Sequence, residues 1–71
     1  MSQEEVYKIL EGLGGTATTK QISRRAKEKF PKYALWSYVG HILRKLKKNG
    51  YVIKVPGEGR QVLWKIIREY P

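Results

Sequence analysis

The sequence predicts an α+β domain in which three helices precede a two-stranded β-hairpin, with a short first strand between helices 1 and 2. This prediction rests on three observations: two capping patterns, a leucine-spaced basic stretch, and a glycine-rich turn near the end of the chain. The 71 residues suffice for one small core, so we expect residues 1–71 to form a single domain.

The first helix begins at a capping box. Ser2 and Glu5 stand three residues apart, so each side chain can satisfy a backbone N–H of the first turn. The apolar stripe that follows has helical spacing and consists of Val6, Ile9, Leu10 and Leu13. Gly12, Gly14 and Gly15 end the helix, and residues 16–17 then form the short extended link.

The second helix begins with another capping box, formed by Thr18 and Gln21. Its buried stripe consists of Ile22, Ala26 and Phe30. Pro31 disfavours helical geometry at the residue before it, so we expect the helix to end at about Phe30.

The third helix is predicted over about residues 34–48. Its buried face consists of Leu35, Val39, Ile42, Leu43 and Leu46. Its other faces carry Trp36, Ser37, His41, Arg44, Lys45 and Lys48. Asn49 and Gly50 tolerate left-handed backbone angles and therefore end the helix.

The C-terminal third predicts a hairpin. Residues 51–55 and 61–67 are rich in β-forming side chains, and the Pro-Gly-Glu-Gly sequence of residues 56–59 reverses the chain. We expect Tyr51 and Trp64 to pack between the hairpin and the helices.

The formal net charge of +9 is unevenly distributed. Ten of the fifteen Lys and Arg residues lie within residues 20–50, against one acid, Glu28. No acidic residue occurs between Glu28 and Glu58. A lysine-rich surface that serves only for solvation would mix both signs, so this segregation favours a polyanionic partner.

Catalysis and metal binding are not expected. The chain has no cysteine and one histidine, His41, which has no predicted carboxylate partner. The chain has no aspartate, and no phosphate-binding glycine loop precedes a helix. We therefore predict neither an enzyme, nor a metal site, nor a cofactor.

No apolar run approaches the length that spans a bilayer, and the N-terminus is polar instead of basic and apolar. We expect no membrane association. The expected location is intracellular, either cytoplasmic and nucleoid-associated or nuclear, and not secreted.

The whole chain resembles the winged helix-turn-helix family. The stretch LRKLKKNGYVIK, residues 43–54, carries most of the resemblance, because a basic helix runs through Asn-Gly directly into a strand. The resemblance implies that the third helix enters the major groove of double-stranded DNA. It also implies that helix 2 crosses the DNA backbone near its N-terminus and that the wing, residues 54–61, contacts the backbone or the minor groove.

On this basis we expect a double-stranded DNA-binding protein that acts as a transcription regulator. The candidate DNA-binding residues are Lys20, Arg24, Arg25, Lys27, Trp36, Ser37, Tyr38, His41, Arg44, Lys45, Lys48, Lys54 and Arg60. Arg44 is the candidate for recognising a guanine, because a guanidinium donates two parallel hydrogen bonds. Lys45 and Lys48 are expected to pair with phosphates.

A narrower resemblance connects TATTKQIS, residues 16–23, and LWKI, residues 63–66, with the Z-alpha winged helices, which bind left-handed nucleic acid. The residues that align with that family's recognition positions differ here: Gly40 and Arg44 in the third helix, and Gln61 and Val62 in the wing. Only Trp64 matches. We therefore assign Thr18 and Trp64 to capping and core packing.

Other functions stay open at this point. A winged helix can also serve as a protein-interaction or assembly module, in which case Trp36 and Tyr38 would be the main contact residues. RNA binding is less favoured, because no predicted open strand face displays an aromatic platform. A homodimer also stays open, although no heptad or extra terminal helix supplies a dimer seam.

Overall fold

The computed structural model describes residues 2–32 and 36–71, with the side chains of residues 36 and 37 left out. Within these ranges the helices are α1 (Gln3–Gly12), α2 (Thr19–Lys29) and α3 (Trp36–Lys48). The strands are β1 (Thr16–Thr18), β2 (Val52–Pro56) and β3 (Val62–Ile66). The predicted α+β class and the order of its elements are therefore confirmed. The proposed start of helix 3 at residue 34 and the core position of Leu35 lie outside the described residues.

Both predicted capping boxes are present. At α1, Glu5 N donates to Ser2 Oγ at 3.2 Å, and Ser2 N donates to Glu5 Oε1 at 2.8 Å. At α2, Gln21 N donates to Thr18 Oγ1 at 3.1 Å, and Thr18 N donates to Gln21 Oε1 at 2.8 Å. Each box satisfies two N–H groups that a helical first turn leaves unpaired.

Two glycines turn the chain from α1 into the sheet. Gly14 and Gly15 have φ angles of 94° and 85°, in the left-handed region that side chains with a Cβ avoid. Gly15 N donates to Leu10 O at 3.0 Å, and Gly15 O accepts from Ile66 N at 2.8 Å. Gly15 therefore both ends α1 and forms a hydrogen bond to the residue that ends β3.

The sheet is antiparallel, with strand order β1-β3-β2. Trp64 lies opposite Ala17 on one side and Lys54 on the other, whereas Leu63 lies opposite Thr18 and Val55. Residues directly opposite each other share a face of a sheet. Trp64 and Ala17 are buried, so their side is the inner face, and Leu63 belongs to the outer face.

The strand β2 begins one residue later than predicted. Tyr51 N donates to Leu46 O at 3.0 Å, so this N–H closes the end of α3 instead of entering the sheet ladder. Tyr51 O still accepts from Ile67 N at 2.9 Å. The residue therefore belongs to both elements, which explains why its position in a strand was predicted.

The core lies between the three helices and the inner face of the sheet. Its buried residues are Val6, Tyr7, Ile9, Leu10, Ala17, Ile22, Ala26, Val39, Ile42, Leu43, Leu46, Val52 and Trp64. Leu13, Phe30 and Tyr51 are partly buried against it, as are Ile66 and Tyr70. The described parts of the predicted apolar stripes are thus confirmed. Tyr7 also belongs to the core, although the sequence did not predict its burial. None of the described helices is long and apolar enough to cross a membrane.

Candidate nucleic-acid interface

The exposed side of α3 is cationic. Val39, Ile42, Leu43 and Leu46 are buried, so the opposite side of the helix faces solvent. The exposed polar residues that this helix presents are His41, Arg44, Lys45, Lys47 and Lys48. Among the described residues none of these five takes part in a salt bridge, and the helix itself contains no acid. The charges of Arg44, Lys45, Lys47 and Lys48 are therefore available to an anionic partner. The side chains of Trp36 and Ser37 lie outside the described part.

Arg44 extends along α3 towards the helix N-terminus. A Cβ built on Gly40 would lie 3.5 Å from Arg44 Nη1. The guanidinium therefore lies beside the turn before its own residue, a direction that helical side chains favour. No described atom of α1 approaches Gly40 this closely, so this glycine does not serve a close contact between α1 and α3.

The basic residues of α2 divide between two sides of the helix. Lys20, Arg24 and Lys27 recur at helical spacing and are exposed. Arg25 lies about 100° around the helix from Arg24, and its Nε is 3.6 Å from Glu28 Oε2. The ridge therefore consists of Lys20, Arg24 and Lys27, while Arg25 is partly neutralised.

Two members of this ridge face β3. Lys20 and Arg24 line an open hollow of about 270 Å³ together with Gln61 and Leu63. Leu63 belongs to the outer face of the sheet, as the register shows. This end of the ridge is therefore directed towards the outer side of the sheet.

Lys54 of the β2–β3 hairpin lies on the inner face of the sheet. Lys54 Nζ lies 5.1 Å from the centroid of the Trp64 ring, within the range of a cation–π contact. Trp64 Nε1 donates to Thr19 Oγ1 at 2.8 Å. The tryptophan therefore connects the β2–β3 hairpin to the first turn of α2.

The connection between β2 and β3 is a tight turn. Gly57 N donates to Gln61 O at 2.9 Å, and Gln61 N donates to Glu58 O at 3.1 Å. A Cβ on Gly57 would lie 3.2 Å from Gln61 Cβ, which leaves little room for a side chain. Gly59 has φ 62°, and Arg60 beside it is exposed. The turn therefore displays Glu58 and Arg60 together.

Acidic residues gather elsewhere. Glu4 and Glu11 of α1 line a hollow of about 200 Å³ with Glu69 and Tyr70 near the C-terminus. Lys8 Nζ lies 3.2 Å from Glu4 Oε1 in the same region. Three of the six acids thus lie at a site that none of the candidate DNA-binding residues shares.

Contacts in the structure connect some of the candidate DNA-binding residues and not others. Lys20 and Arg24 share a hollow, and Lys54 connects with α2 through Trp64 and Thr19. The α3 cations and Arg60 are each exposed individually. Sequence reasoning missed Thr18, Gln21 and Gln61 as neighbours of the cations, because only the strand register brings residue 61 beside α2.

Among the residues that the structure describes, no group of three His, Cys, Asp or Glu side chains could hold a metal ion. Comparisons with protein-family models, with curated proteins and with solved structures found no match to this chain.

Proposed function

We propose that this chain is a winged helix-turn-helix protein that binds double-stranded DNA and regulates transcription. In this proposal α3 enters the major groove, and the β2–β3 turn contacts the backbone or the minor groove. The order of elements supports the proposal, since α2 and α3 are followed directly by a hairpin whose second strand also pairs with β1.

The exposed cationic side of α3 is the observation that carries the proposal. The helix has 13 residues and is therefore about 20 Å long, and the major groove admits a helix of ordinary diameter. The core holds α3 by its apolar side, so Arg44, Lys45 and Lys48 remain exposed. Such cations release counterions from DNA when they pair with phosphates, which provides affinity without regard to sequence.

A charge-matched pair of variants tests the proposal. Arg44→Gln/Lys48→Gln removes two charges from α3, and Lys8→Gln/Lys29→Gln removes two charges from positions outside the candidate set. Because both variants change the net charge equally, long-range attraction falls equally in both. We expect the α3 variant to bind a duplex at least about tenfold more weakly and the control variant to bind within about threefold of the unchanged protein.

Equal losses in the two variants would show that net charge alone governs binding, and the proposal would then fail.

The same titration distinguishes recognition of a base sequence from simple electrostatic attraction. Arg44→Ala is expected to reduce the preference for a selected sequence over a random duplex, because a bidentate guanidinium contact discriminates between bases. Lys48→Ala is expected to weaken binding to both duplexes alike.

One observation favours the alternative of a protein-interaction module. Tyr38 is 42 % exposed on α3, and exposed tyrosines are frequent among the residues that dominate protein interfaces. If duplex binding is undetectable at low salt and Tyr38→Ala abolishes a protein contact, the interaction module replaces the proposed function. A DNA-binding protein would instead keep most of its salt-dependent affinity in that variant.

A further inference from the structure

The β2–β3 hairpin extends beyond the strand that supports it. The strand β1 ends at Thr18, which pairs with Leu63, and residues 56–62 continue with no β1 partner among the described residues. An open hollow of about 270 Å³ lies beside this extension, lined in part by Gln61 of the hairpin and by Lys20 of α2. The end of the hairpin therefore has room to move relative to α2.

A side-chain hydrogen bond joins the hairpin to α2 away from the sheet ladder. Trp64 Nε1 donates at 2.8 Å to Oγ1 of Thr19, the first residue of α2. An indole has a single N–H and no acceptor, so this bond determines how the ring can lie. The neighbouring ladder pair, Thr18 with Leu63, joins β3 through the backbone to the residue before α2. The side-chain bond therefore restricts a rotation of the hairpin that the ladder alone would permit.

The indole ring also holds a cation of the hairpin. Lys54 of β2 lies opposite Trp64 in the sheet, and its Nζ is 5.1 Å from the ring centroid. The face of an aromatic ring attracts a cation. Because Trp64 is buried, the core and Thr19 set the position of its ring. The same ring position therefore places the side chain of Lys54.

The distance from Trp64 to the end of the hairpin amplifies small rotations. Arg60 precedes Trp64 by four residues, and this separation corresponds to at most about 13 Å at the rise of a strand. A rotation of about 10° at Trp64 would therefore move the end of the hairpin by about 2 Å. Hydrogen bonds from a guanidinium to phosphate oxygens need N···O distances of about 2.7–3.2 Å, so such a movement breaks them.

We propose that Thr19 and Trp64 are positioning residues for duplex binding. Their hydrogen bond fixes the angle between the hairpin and α2, so that Lys54 and Arg60 reach the duplex that α3 enters. The identity of the ligand as a duplex rests on the proposed function, whereas the fixed angle is a property of the free protein. Thr19 and Trp64 act on the duplex only through the cations of the hairpin.

The first measurement concerns the free protein. The chain has no cysteine, so spin labels attach only where Glu58→Cys in the turn and Lys29→Cys at the end of α2 introduce one. Electron paramagnetic resonance then gives the distribution of distances between the two labels. We expect Thr19→Val to broaden this distribution and Thr19→Ser, which keeps the hydroxyl, to preserve it. Ser2→Ala weakens the cap of α1 instead, and this control for lost stability is expected to preserve the distribution as well.

The second measurement is a double-mutant cycle on duplex affinity. We expect Arg60→Gln to weaken duplex binding at least about threefold in the unchanged protein and less than about 1.5-fold in Thr19→Val. The reason is that a displaced hairpin no longer brings Arg60 to a phosphate. Thr19→Ser is expected to restore the full effect of Arg60→Gln. Arg44→Gln in α3 is the matched control and is expected to weaken binding by the same factor with and without Thr19→Val.

An unchanged distance distribution in Thr19→Val would overturn the inference, as would equal losses from Arg60→Gln with and without it. If Arg44→Gln weakens duplex binding and Arg60→Gln does not, the hairpin makes no contact to be positioned, so the inference fails and the α3 contact stands. If Thr19→Val broadens the distribution but the unchanged protein binds no duplex, the proposed function fails and the fixed angle of the hairpin stands.

Discussion

Ser23 is the residue that fits its surroundings least well. It is 3 % exposed on the core side of α2, and its Oγ has no hydrogen-bond partner among the described residues. A buried hydroxyl without a partner loses the hydrogen bonds that it makes with water in the unfolded chain. The sequence did not predict this burial, because Ser23 lies beside the stripe formed by Ile22 and Ala26.

Ser23→Ala is therefore expected to raise the free energy of unfolding by about 0.5–1 kcal/mol, since alanine also has the higher helix propensity. Ser2→Ala is the matched control and is expected to lower it by about 1 kcal/mol, because it removes a cap that accepts from Glu5 N. Urea unfolding measures both. A loss of stability in Ser23→Ala equal to that in Ser2→Ala would contradict this description of the buried hydroxyl.

Thr19 matters for a different reason, because it accepts the one hydrogen bond of a buried indole. Trp64 is 4 % exposed, and its Nε1 donates to Thr19 Oγ1 at 2.8 Å. Thr19→Val keeps the shape of the side chain and leaves the indole N–H unpaired. We expect a loss of about 1–3 kcal/mol in the free energy of unfolding.

Thr16→Val provides the control for this substitution. Thr16 is exposed on β1, opposite Lys65, and we expect a change within about 0.5 kcal/mol. Denaturant titration followed by circular dichroism compares the two variants. Losses of the same size at positions 16 and 19 would show that the indole bond contributes nothing specific.

At the scale of the elements, α3 contains a residue that disfavours helix formation. Gly40 lies in its middle, and a glycine there costs about 1 kcal/mol relative to alanine. A Cβ at this position would meet Arg44 Nη1 at 3.5 Å, which is ordinary contact distance. Nothing in the described structure therefore requires the glycine for folding.

Gly40→Ala is expected to raise the free energy of unfolding by about 0.5–1 kcal/mol, because the added methyl reduces the conformational freedom of the unfolded chain. Thermal and urea unfolding of the variant measure this change. Gly14→Ala is the opposite control, since φ at Gly14 is 94° and a side chain there is strained. Destabilisation by both substitutions would mean that α3 has a close neighbour at Gly40.

The sequence predicted the element boundaries where the deciding forces are local. The two capping boxes act over three residues, and the turn glycines act through their own backbone angles, so both could be recognised before any tertiary structure was known. The contact of Lys54 with Trp64 and the hollow beside Gln61 depend on strand register. Register is set by the whole packed sheet, and single-residue patterns do not contain it.

The contacts of the chain's last residues also depend on tertiary packing and not on local sequence. Tyr7 Oη donates to Arg68 O at 3.1 Å, and Arg68 Nη2 donates to Asn49 O at 2.9 Å. The Tyr70 ring contacts those of Tyr7 and Tyr51, at centroid distances of 5.4 and 4.9 Å. These contacts join residues as far apart in the sequence as Tyr7 and Tyr70, and no pattern in the sequence indicates them. They fasten the end of the chain to α1 and to the C-terminus of α3.

At the scale of the whole molecule, charge is sorted in space as well as along the chain. Glu4, Glu11 and Glu69 share one hollow, whereas the cations of α2 and α3 are exposed with few acidic partners. The candidate residues of α3 were predictable, because helical periodicity alone separates their side from the buried stripe. Their relation to the α2 ridge was not, since it depends on how the helices and the sheet pack.

The salt dependence of duplex affinity tests the central claim most directly. If six to eight cations of this chain pair with phosphates, log K against log salt has a slope of roughly −5 to −7, and binding to a random duplex is measurable at low salt. No detectable binding at low salt, or an affinity that salt leaves unchanged, would contradict the claim that this surface serves to bind DNA.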